Sequence, residues 1–404
     1  MSELSFLPTW PPDTAGLPWF ALILLVAVLL GEAVNRWLRL PRALGWVACG
    51  LAAGPSLLGL IDAIAFEESR FLLQIAAGLV LFELGQRVDT GWLRRNPWLL
   101  ASSLLEAGFS FVAIYAVLWL LQVPPLVAAT AAAIGLASSP SVVLALTREL
   151  RAQGQVTERI LMFTALNCIY AFVAVSMLVA WLNAEYRGGW ISVAAHPMWL
   201  IFGSLIVAFV FAAFTLWLLR LLGPRPDAQY MCVVALVVAA VAAAQTLRLS
   251  VPLLLLAYGT LARALDRDRR FVSLQFGRLG SIALVLLFAL SAAGIDLRYV
   301  PAGLLAGVGL LAARWAGKTL GMFAVGRASG LSLRKASLVS LGLMPMSGLA
   351  LLLTYDTAAR YPELGVQLTT IMVCAIALLE LIGPLTTQFA LVRAGEASQA
   401  SVQS

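Results

Sequence analysis

Long apolar stretches recur along this chain at short intervals, and that pattern excludes most folds. Thirteen apolar segments can be read, at roughly 17–38, 42–60, 71–88, 97–121, 124–147, 157–183, 197–222, 229–247, 251–264, 279–293, 300–326, 333–355 and 365–392. About 20 apolar residues in a helix span the hydrocarbon core of a bilayer. In that medium backbone polar groups must be satisfied internally, which leaves helices or closed barrels. The second and ninth segments are short and need tilt or neighbours to cross. Turn chemistry such as Leu40-Pro41, Asn96-Pro97, Pro124-Pro125 and Gly223-Pro224 separates the segments. Only 12% of the 404 residues are charged, against about 25% in a soluble domain. The expectation is an all-α polytopic membrane protein of about 13 transmembrane helices, with the lipid bilayer as its medium.

The basic residues set its direction. Twenty of the 27 Lys and Arg residues fall in the odd-numbered loops and at the C-terminus. Five (Arg70, Arg187, Arg248, Arg298, Arg360) fall in the even ones, and Arg314 and Lys318 lie inside a segment. Basic loops stay cytoplasmic, so the N-terminus is expected outside and the C-terminus inside. The net charge of +7 thus reports topology and does not imply nucleic acid. Residues 1–16 lack the basic start of a signal peptide and read as a short extracytoplasmic tail. Residues 395–404 read as a frayed cytoplasmic tail. Cys49, Cys168, Cys232 and Cys374 are too scattered for a metal cluster or a disulfide framework. The single His196 reads as interfacial.

The sequence also repeats. Leu81-Phe82-Glu83-Leu84, running through Asp89 to Trp92, resembles Leu287-Phe288-Ala289-Leu290, running through Asp296 to Tyr299. Gly50 to Gly54 resembles Leu256 to Gly259 in the same way. The offset is seven segments, so residues 17–183 and 229–394 form two six-helix repeats, with 184–228 as linker. An odd offset inverts one repeat relative to the other, a plan common in secondary transporters.

The fifth segment is interrupted by Gly135-Leu136-Ala137-Ser138-Ser139-Pro140-Ser141, and the twelfth by Gly342-Leu343-Met344-Pro345-Met346-Ser347-Gly348. Proline in a helix frees backbone groups that lipid cannot satisfy. Interrupted segments at matching positions of two repeats point to a binding site near the midplane. The candidate transport site is Ser138, Ser139, Pro140, Ser141, Met344, Ser347 and Gly348, with Thr164, Asn167 and Cys168 from the adjoining sixth segment. Ionisable residues within spans are costly, about 2.5–3.5 kcal/mol at a helix centre on insertion scales. Arg314 and Lys318 are one turn apart and share a helix face. Glu106 sits nine residues into the fourth segment, near mid-bilayer at about 1.5 Å per residue, and is a candidate partner for either. These three are the candidate charge or proton carriers, with structural counter-ions as the open alternative. Glu32 and Glu83 precede Arg36 and Arg87 by four and read as local ion pairs. Glu380 precedes Gly383-Pro384, read as a further helix break. No nucleotide, metal or nucleophile motif is present, so no cofactor or enzymatic reaction is expected, and transport would be driven by an ion gradient.

Several stretches together resemble the monovalent cation/proton antiporter superfamily, the sodium/proton and potassium/proton exchangers, over about residues 20 to 393. They are Leu81 to Gly85 with Asp89 and Arg94-Arg95, Ala137 to Leu144, Gly317 to Gly321 with Gly326-Arg327 and Arg334-Lys335, and Glu380 to Pro384. The resemblance implies two crossed broken helices in a core that moves against a scaffold, usually in a homodimer; the helical spans and the charge bias of the loops lead to the expectation of a bacterial inner membrane. It implies a monovalent cation and a proton competing for one aspartate on the sixth helix. Lys318 matches the family's buried lysine, and Arg314 is a less good match one turn away. The sequence departs at the aspartate, where it reads Asn167-Cys168. Either Glu106 carries the exchange or the chain does something else on the same scaffold: transport of another solute such as an organic anion, or a regulatory role.

Overall fold

A computed structural model describes residues 17–61, 63–187, 195, 197–223, 225–266, 277–346 and 348–398. The amino-terminal tail, His196 and Ser347 lie outside the described residues. Every regular element among those described is helical. In chain order they are α1 (Leu17–Ala33, continued by a π turn over Val34–Leu38), α2 (Arg42–Ala53), α3 (Ala63–Arg87), α4 (Thr90–Arg95), α5 (Pro97–Leu120), α6 (Pro125–Ile134), α7 (Pro140–Glu149) and α8 (Gln155–Arg187). Then follow α9 (Ser204–Leu222), α10 (Pro226–Thr246), α11 (Val251–Leu265), α12 (Gly277–Ala293), α13 (Val300–Val325), α14 (Leu333–Gly342), α15 (Gly348–Arg360) and α16 (Pro362–Arg393).

The helix starts follow from local chemistry. Prolines occupy the first turn of α5, α6, α7, α10, α11, α13 and α16, where the missing N–H is an orphan anyway. Asp89, Ser139, Ser250 and Ser332 accept a bond from the backbone N–H three residues on, as N-caps do. Among the described residues seven helices are long and apolar enough to cross a membrane, and outward side chains such as Leu29, Val112 and Leu305 are exposed apolar surface suited to lipid. The chain is a multi-pass membrane protein.

The helices pack closely through small residues. A Cβ on Gly50 of α2 would collide with the Ala289 carbonyl of α12, and one on Gly259 of α11 with the Phe82 carbonyl of α3. The two motifs paired in the sequence therefore make the same kind of contact twice. The most extensive helix pair is α5 with α13, and α16 is the most buried of the seven long helices.

Four expectations need correction. The second segment ends as a helix at Ala53, because Gly54-Pro55 opens a turn. α16 runs unbroken through Pro384; both Gly383 and Pro384 are buried, Gly383 lying against Pro345, and such support lets a buried helix keep a proline. The local ion pairs do not form. Glu83 pairs with Arg148 and Glu32 with Arg42, since packing brings other elements nearer than the next helical turn. Part of the frayed tail is also docked: Glu396 accepts bonds from Val156 N–H (2.9 Å), Thr157 N–H (2.8 Å) and Thr157 Oγ1 (2.8 Å). It thereby caps the positive end of α8, and Ser398 N–H donates to Leu150 O.

Candidate functional site

Both interrupted segments open where the sequence places them. α6 stops at Ile134 and α7 starts at Pro140; α14 stops at Gly342 and α15 starts at Gly348. The two unwound stretches meet, and Ser139 N–H donates to Pro345 O at 2.8 Å. Ser138 Oγ donates to Leu343 O at 2.9 Å. Each half-helix also leaves carbonyls without helical partners at its C-terminal end.

Arg314 of α13 satisfies those carbonyls. Its Nη1 donates to Gly135 O, Nη2 to Ala137 O (2.8 Å) and Leu343 O (3.0 Å), and Nε to Met344 O (3.2 Å). Nη2 also reaches Ser138 Oγ at 3.3 Å. The guanidinium thus neutralises the negative ends of two half-helices at once, and its rigid fork of donors suits that geometry.

Lys318 lies one turn on, and its Nζ donates to Glu106 Oε1 of α5. Both side chains are fully buried. Gly317 and Gly321 make this possible: a Cβ at Gly317 would come within 2.6 Å of Ser110 Cα, and one at Gly321 would collide with the backbone of Glu106. Without side chains there, α13 comes close enough to α5 for the ammonium to meet the carboxylate.

Asn167 of α8 joins this pair to the crossover. Its Nδ2 donates to Glu106 Oε1 and to Ser138 Oγ, each at 3.3 Å. Next to it, Cys168 Sγ donates to Ser138 O at 3.3 Å. Glu106 Oε2, Ser110 Oγ, Thr164 Oγ1 and Asn167 Oδ1 are buried and have no hydrogen-bond partner. Glu106 and Ser110 share one face of α5, and Thr164 and Asn167 one face of α8. The Asn167–Glu106 bond brings the faces together. All four unpartnered groups are oxygens, the donor type that hard cations take.

Of the residues singled out in the sequence, Ser138, Asn167, Cys168, Met344, Arg314, Lys318 and Glu106 thus fall in one bonded network. Ser139 caps α7 and lies 3.0 Å from Ser141 Oγ, and Pro140 opens that helix. Thr164 is buried beside the network, and Gly348 starts α15 against Ser291. Ser347 lies outside the described residues. Ser110 and Ser291 escaped the sequence reading. The only signal for Ser110 is its spacing of four from Glu106, and for Ser291 a hydroxyl, with Ser281 one of two, in an apolar segment.

Comparison with known proteins identifies the family and the fold. A family model described as the transmembrane sodium/hydrogen exchanger matches residues 21–393. The structure of the sodium proton antiporter MjNhaP1 from Methanocaldococcus jannaschii at pH 8 superposes with a TM-score of 0.70 at 16% identity, covering 96% of this chain and 97% of that one. An electron-microscopy map of the same antiporter gives 0.67 at 17% identity, covering 94% and 96%. These two share the fold. No curated protein sequence matches the chain.

Proposed function

Because the chain belongs to the sodium/hydrogen exchanger family, we propose that it is a secondary-active antiporter exchanging Na+ or K+ for protons by alternating access of a core domain. The observation that carries this reading is the fully buried Lys318–Glu106 pair, tied through Asn167 to the crossover. Two charges in a low-dielectric site are expensive unless each neutralises the other. An arriving cation can take the place of the ammonium at Glu106 only if Lys318 gives up its proton or moves away. The vacant oxygens of Glu106, Asn167 and Thr164 would then complete the cation's ligands. Cation binding and proton release become two outcomes at one carboxylate, which is the linkage antiport requires.

In this reading Glu106 on α5 takes the role the family gives an acid at the position of Cys168. Arg314 holds the crossover rigid while Lys318 and Glu106 work. The crossover, with α5, α8, α13 and α16 around it, forms the moving core. The remaining helices form the scaffold, through which two copies would pair. The charge asymmetry of the loops supports a cytoplasmic C-terminus in a bacterial inner membrane, with about 13 crossings arranged as inverted repeats.

The test is exchange in proteoliposomes carrying a pH-sensitive dye. Addition of NaCl or KCl to liposomes with an imposed proton gradient should collapse it, and Glu106→Gln should abolish the response. Absence of any Na+- or K+-dependent proton movement between about pH 6 and 9 in the wild type would reject antiport.

One observation favours a second reading, transport of an organic anion. A cavity of about 760 Å³ between α3, α8 and α15 carries Arg70, Arg248 and Arg360 in its walls. Arg70 is engaged with Asp356 at 2.5 Å, which leaves the lining net positive. Uptake of a labelled carboxylate that disappears in Lys318→Ala would support it.

A further inference from the structure

A second buried carboxyl lies apart from the Glu106–Lys318 pair. Glu380 of α16 is fully buried. Its Oε1 accepts from Ser291 Oγ of α12 at 3.4 Å, and its Oε2 has no partner. No ion pair reaches it among the described residues. An ionised carboxylate in such a place has no counter-charge, so a proton or a cation must neutralise it. Glu380 stands between Leu379 and Leu381 in an apolar stretch of α16, so the acid is the exception there and carries that cost.

The cavity of about 760 Å³ leads toward this group. Ala77 and Leu349 line it, and the same two residues line a crevice of about 10 Å³ further in. Ser141, Ser291 and Gly348 share the rest of the crevice wall with the apolar Val80, Leu81, Pro140 and Leu287. Its volume accommodates roughly one water-sized particle, so a solute reaching it must shed most of its hydration. Gly348 is needed here, because a Cβ would lie 2.7 Å from Ser291 Cβ. The Ser291 hydroxyl has one proton and two acceptors at 3.4 Å, Phe288 O and Glu380 Oε1. It can turn to the backbone and offer its oxygen to the crevice. The cavity thus ends on Ser141 and Ser291, and the Ser291 hydroxyl is the group that reaches Glu380.

We propose that Glu380, with Ser291 and Ser141, forms a second site for a monovalent cation or proton, at the inner end of the cavity. It rests on the antiport reading and extends it: a cation that enters the cavity past its one acidic wall residue, Asp356, is dehydrated in the crevice and neutralised at Glu380 before it meets Glu106, whereas the arginines of the mouth would hold back an ion that is not driven in by its gradient. The sodium or potassium ion itself is the ligand, and no bond is made or broken beyond the exchange of a proton.

The experiment compares the full-length protein with Glu380→Gln, Glu380→Asp and Ser291→Ala in proteoliposome exchange and in thermal unfolding with NaCl or KCl against choline chloride. Glu380→Gln should lower exchange at least tenfold and lose any alkali-ion stabilisation. Glu380→Asp should keep exchange but shift the preference between Na+ and K+. Ser291→Ala should raise the half-saturating cation concentration severalfold with a maximal rate within twofold of wild type. The proposal is overturned if Glu380→Gln exchanges at the wild-type rate with the same half-saturation. It is equally overturned if Glu380→Gln fails to fold while Glu380→Asp and Ser291→Ala show unaltered ion dependence, because the carboxyl is then only structural. A wild type that exchanges while these variants are indifferent sinks the second site alone. A wild type that does not exchange sinks both readings.

Discussion

Arg314 and Lys318 sit one turn apart on α13, both fully buried, yet they meet different partners. Arg314 donates to four backbone carbonyls and one hydroxyl. Lys318 donates to one carboxylate. A backbone carbonyl cannot take up a proton or leave its place, so the arginine is bound to fixed dipoles. A carboxylate can be neutralised by a proton or a metal ion, so the lysine is bound to a partner with alternatives. One helical turn separates a structural cation from one whose pairing can change. Side-chain chemistry agrees with the division, since guanidinium stays charged and forks across several acceptors, whereas ammonium can release its proton.

The sharpest way to break this comparison is to remove the arginine. Arg314→Ala leaves three half-helix carbonyls, those of Gly135, Ala137 and Met344, buried without the donor that serves them, while Leu343 O keeps Ser138 Oγ; each is worth about 1–3 kcal/mol when orphaned. The expected result is loss of a monodisperse, cooperatively unfolding protein in detergent, with Arg314→Lys only partly restoring it. If Arg314→Ala instead folds normally and loses only exchange, the two cations share one role and the division fails.

Next in size is the lysine. Lys318→Ala leaves Glu106 as an unpaired buried charge and should cost about 3–5 kcal/mol. Removing both partners, as Lys318→Met with Glu106→Gln, should recover most of that stability while exchange stays absent. A thermal-unfolding double-mutant cycle measures the coupling. For Arg314 no such compensating second substitution exists, because its acceptors are backbone.

This contrast also marks what the sequence could reveal. Apolar length and the proline-serine interruptions made the helical membrane fold and the two breaks legible, because both arise from local rules. The charged residues were legible as expensive and therefore meaningful. Their partners were not. Helical spacing paired Glu83 with Arg87, and packing delivered Arg148 instead. Spacing left Glu106 open to either cation, and the choice came from Gly317 and Gly321, whose absent side chains set the approach of α13 to α5. Pro384 looked like a break and is carried inside a buried helix. Glu380 was visible as an acid, but its isolation and its place behind Ser291 depend on three elements far apart in sequence.

A smaller effect tests the missing aspartate. Cys168 donates its S–H to Ser138 O, and an ionised aspartate there would set two acceptors face to face. Cys168→Asp should cost about 1–3 kcal/mol of stability while adding a carboxylate beside Asn167, and exchange should rise if the scaffold is otherwise intact. Cys168→Ser keeps a donor and should change stability by less than about 1 kcal/mol. Dye-quench exchange and thermal unfolding separate the two effects. A Cys168→Asp protein that is stable yet exchanges no faster would mean that the sixth-helix position no longer communicates with Glu106.

The smallest expected effect examines the point where the two networks touch. Ser138 Oγ accepts from Arg314 Nη2 and from Asn167 Nδ2, and Asn167 in turn donates to Glu106. That hydroxyl is the bridge between the fixed cation and the exchangeable one. Ser138→Ala removes it but leaves both principal partnerships in place, so the loss should be about 1 kcal/mol. The informative quantity is the coupling. In a cycle of Ser138→Ala with Glu106→Gln, an interaction energy near zero would show that the clamp and the pair work independently. A coupling of about 0.5 kcal/mol or more would mean that the state of Glu106 is felt at the crossover, the link a moving core needs between ion binding and its own rearrangement.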